Sequence, residues 1–439
     1  MTRVRRARTS TISQRSWLSS FANLAVGEAA TGLLRLVALA VIARAVDPSA
    51  FGFLNVGLAV GGYLVVAHAG LEVVGTRAVA GRPSDSRPMT ERIVSLRLVV
   101  AAAVYLAAAT AAFVAPIEVL SQQLVLLYGL SLFTQALDVR WLFIGLERTR
   151  AVGVASAVSA AAYLVAVTVL VDGPGDVLWV PAAQIASEGL TSAILVAVSF
   201  RQIGPWSPRL TRRHWPSWRS SFVANLPIAA SKAARGVSLG ADIVLVGLLM
   251  SSDDVGQYGA ARRLTLVALV FLGLYTHAFL PLVARAVQEG GSKSRDLVAV
   301  ALVRTAAVVV PLAVVGTVWA VHFLRWFVGP QYGGAAPVLR ILIWSIVLTC
   351  FGGLYAQVLL AFHRQRPLLV VDVVAAVVSI SLMLALVPVL DLAGAALAAL
   401  AGRAVTLVLS WAAARRFLRR GAGLAHLDLG SVTLAGPGG

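Results

Sequence analysis

The chain has 439 residues, 59% of them hydrophobic and 13% charged, with a mean hydropathy of +0.85. Too few charges remain to cover a water-facing surface of that size, which excludes a conventional soluble domain and makes lipid the solvent. A formal net charge of +18 would suit nucleic acid only if the bases gathered on one surface; here they are scattered between apolar runs, so no nucleic-acid partner is expected.

In chain order, Arg3, Arg5, Arg6, Arg8 and Arg15 predict a flexible basic arm over 1–16, held near anionic membrane lipids. The apolar stretch that follows is too long for a secretory signal and carries Glu28 and Arg35, so it reads as an uncleaved first helix. A spanning helix needs about 20 mostly apolar residues, and polar breaks divide the chain into about twelve such segments. They cover 18–45, 53–75, 93–115, 122–145, 151–171, 177–200, 221–250, 260–284, 297–328, 336–361, 367–390 and 392–414. The stretches 98–115 and 371–390 are apolar on every face, as lipid-embedded helices are. Trp17, Trp179, Trp218, Trp326 and Trp411 stand at span ends, where aromatic belts form. The tail, 415–439, is glycine-rich toward its end, which predicts disorder.

Basic residues mark the cytoplasmic side of short loops. One side holds the arm, then Arg77, Arg82, Arg87 and Arg92, Arg148 and Arg150, Arg201 to Arg219, Arg285 to Arg295, Arg364 and Arg366, and Arg415 to Arg420. The other side has mainly Arg44, Arg262, Arg263 and Arg325. Both termini are therefore expected in the cytoplasm, with the chain multi-pass in the cytoplasmic membrane. The fold class expected is an all-α polytopic membrane protein: two pseudo-symmetric six-helix lobes, 17–200 and 221–414, around a central cavity, joined by a cytoplasmic linker, 201–220, rich in Pro, Trp and Arg. An internal echo supports the halves. Val46-Asp47-Pro48-Ser49-Ala50-Phe51-Gly52 follows the first span as Met250-Ser251-Ser252-Asp253-Asp254-Val255-Gly256 follows the seventh, and Arg148 and Arg150 match Arg364 and Arg366. Six spans return the chain to its starting side, so the repeats would be parallel.

Several runs, in their order and spacing, resemble the polysaccharide transporter (O-antigen flippase) family of the multidrug/oligosaccharidyl-lipid/polysaccharide exporter superfamily. They are the run from Ile42 through Asp47-Pro48 to Phe51-Gly52, Gly70-Leu71 with Gly75-Thr76-Arg77, and Trp141-Leu142-Phe143-Ile144-Gly145-Leu146-Glu147-Arg148. In the second half they are Asp254-Val255-Gly256-Gln257-Tyr258, Gly329-Pro330-Gln331-Tyr332 and the stretch 388–396. The resemblance covers nearly the whole chain. It implies two lobes that alternate access and move a polyprenyl-pyrophosphate-linked oligosaccharide across the membrane, with polysaccharide polymerase, ligase or glycosyltransferases as partner enzymes.

Physics asks separately which charges lie in hydrocarbon, where each costs roughly 2.5 to 3.5 kcal/mol at a helix centre unless paired or hydrated. Glu28 and Arg35 are seven apart on the first span; Lys232, Arg235 and Asp242 form a stripe on the seventh, at spacings of three and seven. Both stripes are read as facing the cavity, with Lys232, Arg235 and Arg35 attracting a pyrophosphate or acidic sugar. The competing reading is that each acid neutralises a base within its own lobe and serves packing. Arg262 and Arg263 are placed at an outer mouth, catching pyrophosphate or anchoring to headgroups. His68 and Glu72, four apart, are read either as a proton-sensitive pair or as a helix-end hydrogen bond. Arg97 and Arg304 are expected to snorkel. Asp138 with Gln135, and Glu188 with Gln184, give polar faces that line the cavity or hold helices together. His277 and the single cysteine, Cys350, are read as core.

The chain has no phosphate-cradling Walker loop, paired-cysteine metal spacing, HExxH or GxSxG elbow, so neither catalysis nor a cofactor or metal is expected. An ion-coupled multidrug or cation exporter of the same superfamily would favour acidic cavity residues, whereas bases match or outnumber acids here. A lipid II flippase is the nearer rival and commonly has two further spans, for which no room follows Arg420. A membrane polymerase or ligase needs a sizeable outer loop, and these loops are short.

Overall fold

The computed structural model describes residues 14–208, 223, 240–269, 293–361 and 365–420; side chains are described from 27 onward, apart from 67–69, 293–295, 361, 365–366, 369 and 417–420. Every regular element among these residues is helical. The chain divides into two compact units, Met1–Ala233 and Ala234–Gly439.

In the first unit α1 is Gln14–Ala45 and α2 is Pro48–Gly81. The break between them is set by Asp47, whose carboxylate accepts the Ala50 amide at 2.9 Å with Pro48 in the first helical position. A 3₁₀ turn, Pro83–Asp85, leads to α3, Ser86–Val114. Ala115, before Pro116, is extended (φ −69°, ψ 138°), as a pre-proline residue prefers. Then follow α4 (Val119–Ala136), a short α5 (Arg140–Gly145), α6 (Arg150–Leu170) and α7 (Trp179–Ile203). Gly204 at φ 81° ends α7, and the chain folds back so that the Trp206 Nε1 donates to Ser199 Oγ at 2.8 Å. Helices α1 and α6 meet backbone to backbone. A Cβ on Gly27 would lie 2.6 Å from the Gly153 Cα, the close approach that small residues allow between membrane helices. The core is built from Leu71, Ile93, Val94, Trp141, Phe143 and Leu195.

The second unit has α8 (Gly240–Leu249) and α9 (252–269). Ser251 opens α9: its hydroxyl donates to the Asp254 carboxylate at 2.6 Å and accepts the Asp254 amide at 3.3 Å. The echo between Asp47 and the Ser251–Asp254 run is thus helix-start chemistry at the second helix of each half. Next come α10 (Lys293–Val318), α11 (Ala320–Phe327), a 3₁₀ turn (Pro330–Ala335), α12 (Ala336–Ala361) and α13 (Gln365–Arg420). The 56 residues of α13 are two arms, broken at Asp391 (φ 49°, ψ −135°). Ser379 Oγ donates to the Ala398 carbonyl at 3.3 Å, although 19 residues of straight helix would separate them by about 28 Å. The arms therefore lie side by side, as the predicted spans 367–390 and 392–414 require.

Seven helical segments among the described residues are long and apolar enough to cross a membrane, α13 counting as one. Two predicted spans prove discontinuous. The segment 122–145 breaks at Leu137 to Val139, where Asp138 takes the Arg140 amide at 2.8 Å and its guanidinium at 2.7 Å. The segment 297–328 breaks at Trp319. Both are apolar enough throughout to look continuous, and local polar capture or a bend ends the helix regardless. Cys350 is buried, as expected of a core thiol.

Candidate functional site

Each unit carries a network of charged side chains within its apolar packing. In the first unit the centre is Arg97 on α3, which is fully buried. Its Nη1 donates to the Asp138 carbonyl at 2.8 Å, and its Nη2 to Glu72 Oε1 on α2 at 3.0 Å and to the Gln135 carbonyl. The break after α4 creates this site. Ending a helix frees its last carbonyls, and a buried guanidinium with five donors in a fixed fork can take several at once. Arg97 was expected to snorkel; instead it is turned inward, because Glu72 and the two carbonyls at the break give its guanidinium several acceptors at once. Arg304 is exposed on α10.

Asp138 pairs with Arg140, and Glu28 on α1 lies within electrostatic reach of that arginine. Gln135 joins this group to a second one. Its amide approaches Glu188 Oε2 on α7 at 3.5 Å, Thr134 Oγ1 lies 3.1 Å from the same oxygen, and Gln184 Nε2 donates to Oε1 at 3.0 Å. Arg35 is the guanidinium within electrostatic reach of Glu188. The stripe of Glu28 and Arg35, both exposed on α1, is thus divided between two ends of one network. Glu72 is engaged by Arg97; the His68 side chain lies outside the described residues. Arg97 and Arg140 are the members sequence reasoning missed as a centre. The available signal was a basic residue amid apolar ones in α3, with an Asp-x-Arg at a helix break.

In the second unit Asp242 on α8 accepts from Arg262 Nε at 2.8 Å and from the buried Tyr258 hydroxyl at 3.0 Å, both on α9. Arg403, on the second arm of α13, completes the group, with Asp372 on the first arm also within its electrostatic reach. Asp242, Ser379, Arg403 and Thr406 line a water-sized cavity of about 30 Å³. The sequence places Arg262 and Arg263 at an outer mouth, near the start of the eighth span. They sit ten residues into α9, which starts at 252 rather than 260 because Ser251 caps it, and Arg262 is turned toward Asp242. Lys232, Arg235 and His277 lie outside the described residues, so the stripe on the seventh span is represented by Asp242. No group of three or more His, Cys, Asp or Glu able to hold a metal occurs among the described residues.

The sequence landmarks meet in pairs. Thr76 Oγ1 donates to the Trp141 carbonyl at 3.2 Å, the Trp141 ring covers Gly75, where a Cβ would lie 2.5 Å from it, and a Cβ on Gly145 would lie 2.9 Å from the Thr76 carbonyl. In the second unit Gln257 Nε2 donates to the Gln331 carbonyl at 3.0 Å. These runs are packing joints that fix α2 against α5, and α9 against the turn after α11.

Comparison with known proteins agrees with this architecture. The family described as "Polysaccharide biosynthesis protein" matches residues 18–287, and the family MatE matches 227–385. None of the curated proteins compared matches the chain. Among solved structures, a multidrug resistance MATE family transporter of the MOP superfamily, inward-facing, superposes with a TM-score of 0.74 at 14% identity, covering 89% of this chain and 94% of that one. The lipid II flippase MurJ, inward closed, gives 0.70 at 11% identity over 91% and 89%. A MOP superfamily transporter from Pyrococcus furiosus, described by a binding pocket of reverse polarity, gives 0.50 at 13% identity over 92% and 94%. The fold is therefore an all-α membrane transporter fold of about twelve spans, shared with these structures, and the chain belongs to the polysaccharide biosynthesis protein family.

Proposed function

We propose that this transporter is a flippase that carries a polyprenyl-(pyro)phosphate-linked oligosaccharide, or polysaccharide repeat unit, across the cytoplasmic membrane by alternating access of two lobes, with both termini cytoplasmic. The observation that carries the reading is the polysaccharide-family match over 18–287, joined to a fold shared with a flippase of a lipid-linked substrate. Charge supports it. The acids that a cationic drug would seek, Glu72, Asp138 and Asp242, are each held by an arginine. Lys232, Arg235 and Arg35 then supply cavity charge of the sign a pyrophosphate needs. An apolar cavity of about 410 Å³ in the second unit, lined by Val309, Leu312, Phe323, Phe327 and Ile343 among others, has the chemistry to take part of a lipid chain. Polymerase, ligase or glycosyltransferases that make or consume the carried lipid are the expected partners.

A second reading, ion-coupled export of cationic drugs, is favoured by the MatE match over 227–385 and the transporter superposing at 0.74. Depleting the protein in its native cells separates the two. A flippase leaves lipid-linked oligosaccharide accumulating on the cytoplasmic leaflet, and Lys232→Ala with Arg235→Ala reproduces it. Unchanged lipid intermediates together with altered resistance to cationic drugs would replace this reading with export.

A further inference from the structure

The apolar cavity of the second unit, about 410 Å³, lies among α9, α10, α11 and α12. Its depth follows from where its walls stand on those helices. Val309 and Gly316 are nine and two residues from the end of α10, about 14 and 3 Å at 1.5 Å per residue. On α12, Leu339 and Ile346 are three and ten residues from the start. Helix α10 begins at Lys293, in the basic run 285–295, and its 26 residues cover about 39 Å, more than the roughly 30 Å of a hydrocarbon core. The cavity therefore occupies the half of the membrane away from that run, which is the outer half in the orientation proposed above.

Helix α11 marks the membrane surface on that side. Phe323 and Phe327, one turn apart, line the cavity, whereas Arg325, midway between them in sequence, leaves the opposite face and is exposed. Trp319 and Trp326 stand at its two ends, 57% and 72% exposed. A short helix with an apolar face, a base opposite and tryptophans beside it lies in the interface. Beneath it the cavity has a mouth and a floor: Leu312 and Phe323 are exposed, while Ala313, Leu339 and Ile343 are buried. Thr265 in the wall donates its hydroxyl to the Ala261 carbonyl at 2.9 Å, so it offers no hydrogen to a water. An apolar cavity stays dry and takes an apolar guest, which in a membrane is a hydrocarbon chain.

Charge selects the lipid. Between Asp296 and Asp372 the sequence holds no acid. Arg325 on α11 and Arg340 on α12, next to the cavity-lining Leu339, are both exposed. The acids expected on this side, Asp253 and Asp254 opening α9 and Asp391 between the arms of α13, stand on no wall of the cavity and form no ion pair with either arginine. A guanidinium without a carboxylate is suited to a phosphate. A phosphate on one chain matches one cavity, whereas a two-chained phospholipid would leave its second chain outside.

We propose that this cavity is the outer-side subsite for the hydrocarbon chain of the carried lipid, a polyprenyl phosphate or pyrophosphate, whose head meets Arg325 and Arg340 at the membrane surface. The inference rests on the flippase reading above. A polyprenyl phosphate bearing a diazirine in its chain is illuminated with the purified full chain in phosphatidylethanolamine vesicles, and the labelled peptides are mapped by mass spectrometry. Label within 309–346 is expected, displaced by excess polyprenyl phosphate and not by excess phosphatidylglycerol. Label elsewhere, or equal displacement by phosphatidylglycerol, would overturn the site. Arg325→Gln with Arg340→Gln should weaken this labelling by about tenfold and leave labelling by a diazirine-bearing polyprenol, which has no phosphate, unchanged; undiminished labelling by the phosphate overturns the head contact. Ala313→Trp fills the cavity and should abolish the label; where it does not fold, the arginine pair, at exposed positions, keeps the test. In native cells carrying the arginine pair variant as the sole copy, lipid-linked oligosaccharide should accumulate as on depletion. Normal levels, with accumulation on depletion intact, would overturn the part in transport alone, whereas no accumulation on depletion would overturn the flippase reading and leave the lipid site.

Discussion

Arg97 shows what a single charge does inside this fold. It holds Glu72 on α2 and two carbonyls at the end of α4 from its own place on α3, so it ties three helices at one point. Removing one partner of a buried pair costs about 3–5 kcal/mol, because the other is left uncompensated. Arg97→Met is expected to lower thermal stability of the detergent-solubilised protein by that order, whereas Arg304→Met, at an exposed position, should stay within about 0.5 kcal/mol. Equal shifts in the two melting curves would contradict the ion-tie account. The sequence shows Arg97 as a base two turns into an apolar run, which fits snorkelling equally well. Direction is not legible there, because it depends on the carbonyls of Gln135 and Asp138, 38 and 41 residues later, at a helix break.

The elements owe their ends to local chemistry and their positions to close contacts. Asp47 and Ser251 start α2 and α9 through their own side chains, and this was readable as an echo between halves. The Gly75 contact was readable only as a family landmark; its reason is that Trp141 fills the space a side chain would need. Gly75→Ala therefore overpacks the joint between α2 and α5, at about 1–3 kcal/mol; a melting temperature equal to wild type would show that Trp141 moves freely. The fold-back of α13 is the opposite case. Asp391 at φ 49° and ψ −135° occupies a conformation suited to glycine, so Asp391→Gly should stabilise the hairpin by about 1 kcal/mol after the extra chain entropy glycine loses. The same melting assay checks the sign.

At the scale of the molecule, the apolar runs and the one-sided basic loops carry the membrane reading, and the proposed orientation is testable with the lone cysteine removed. In a Cys350→Ser background, Ser217→Cys should resist a membrane-impermeant thiol reagent added to intact cells, and Asp253→Cys should react; the reverse pattern would invert the topology. Hydropathy, charge asymmetry and landmark order are properties of the linear chain, so the helical membrane class, the span count of about twelve and the family were legible from the sequence alone. Which charges face one another was not. Glu28 and Arg35 share a helix face by spacing, yet their electrostatic partners, Arg140 and Glu188, come from α5 and α7, and Arg262, at the start of a predicted span, pairs with Asp242 of another helix. Spacing along one helix determines which side chains point the same way, whereas the pairing of charges depends on which other helices pack there and where they end, and only the tertiary structure decides that.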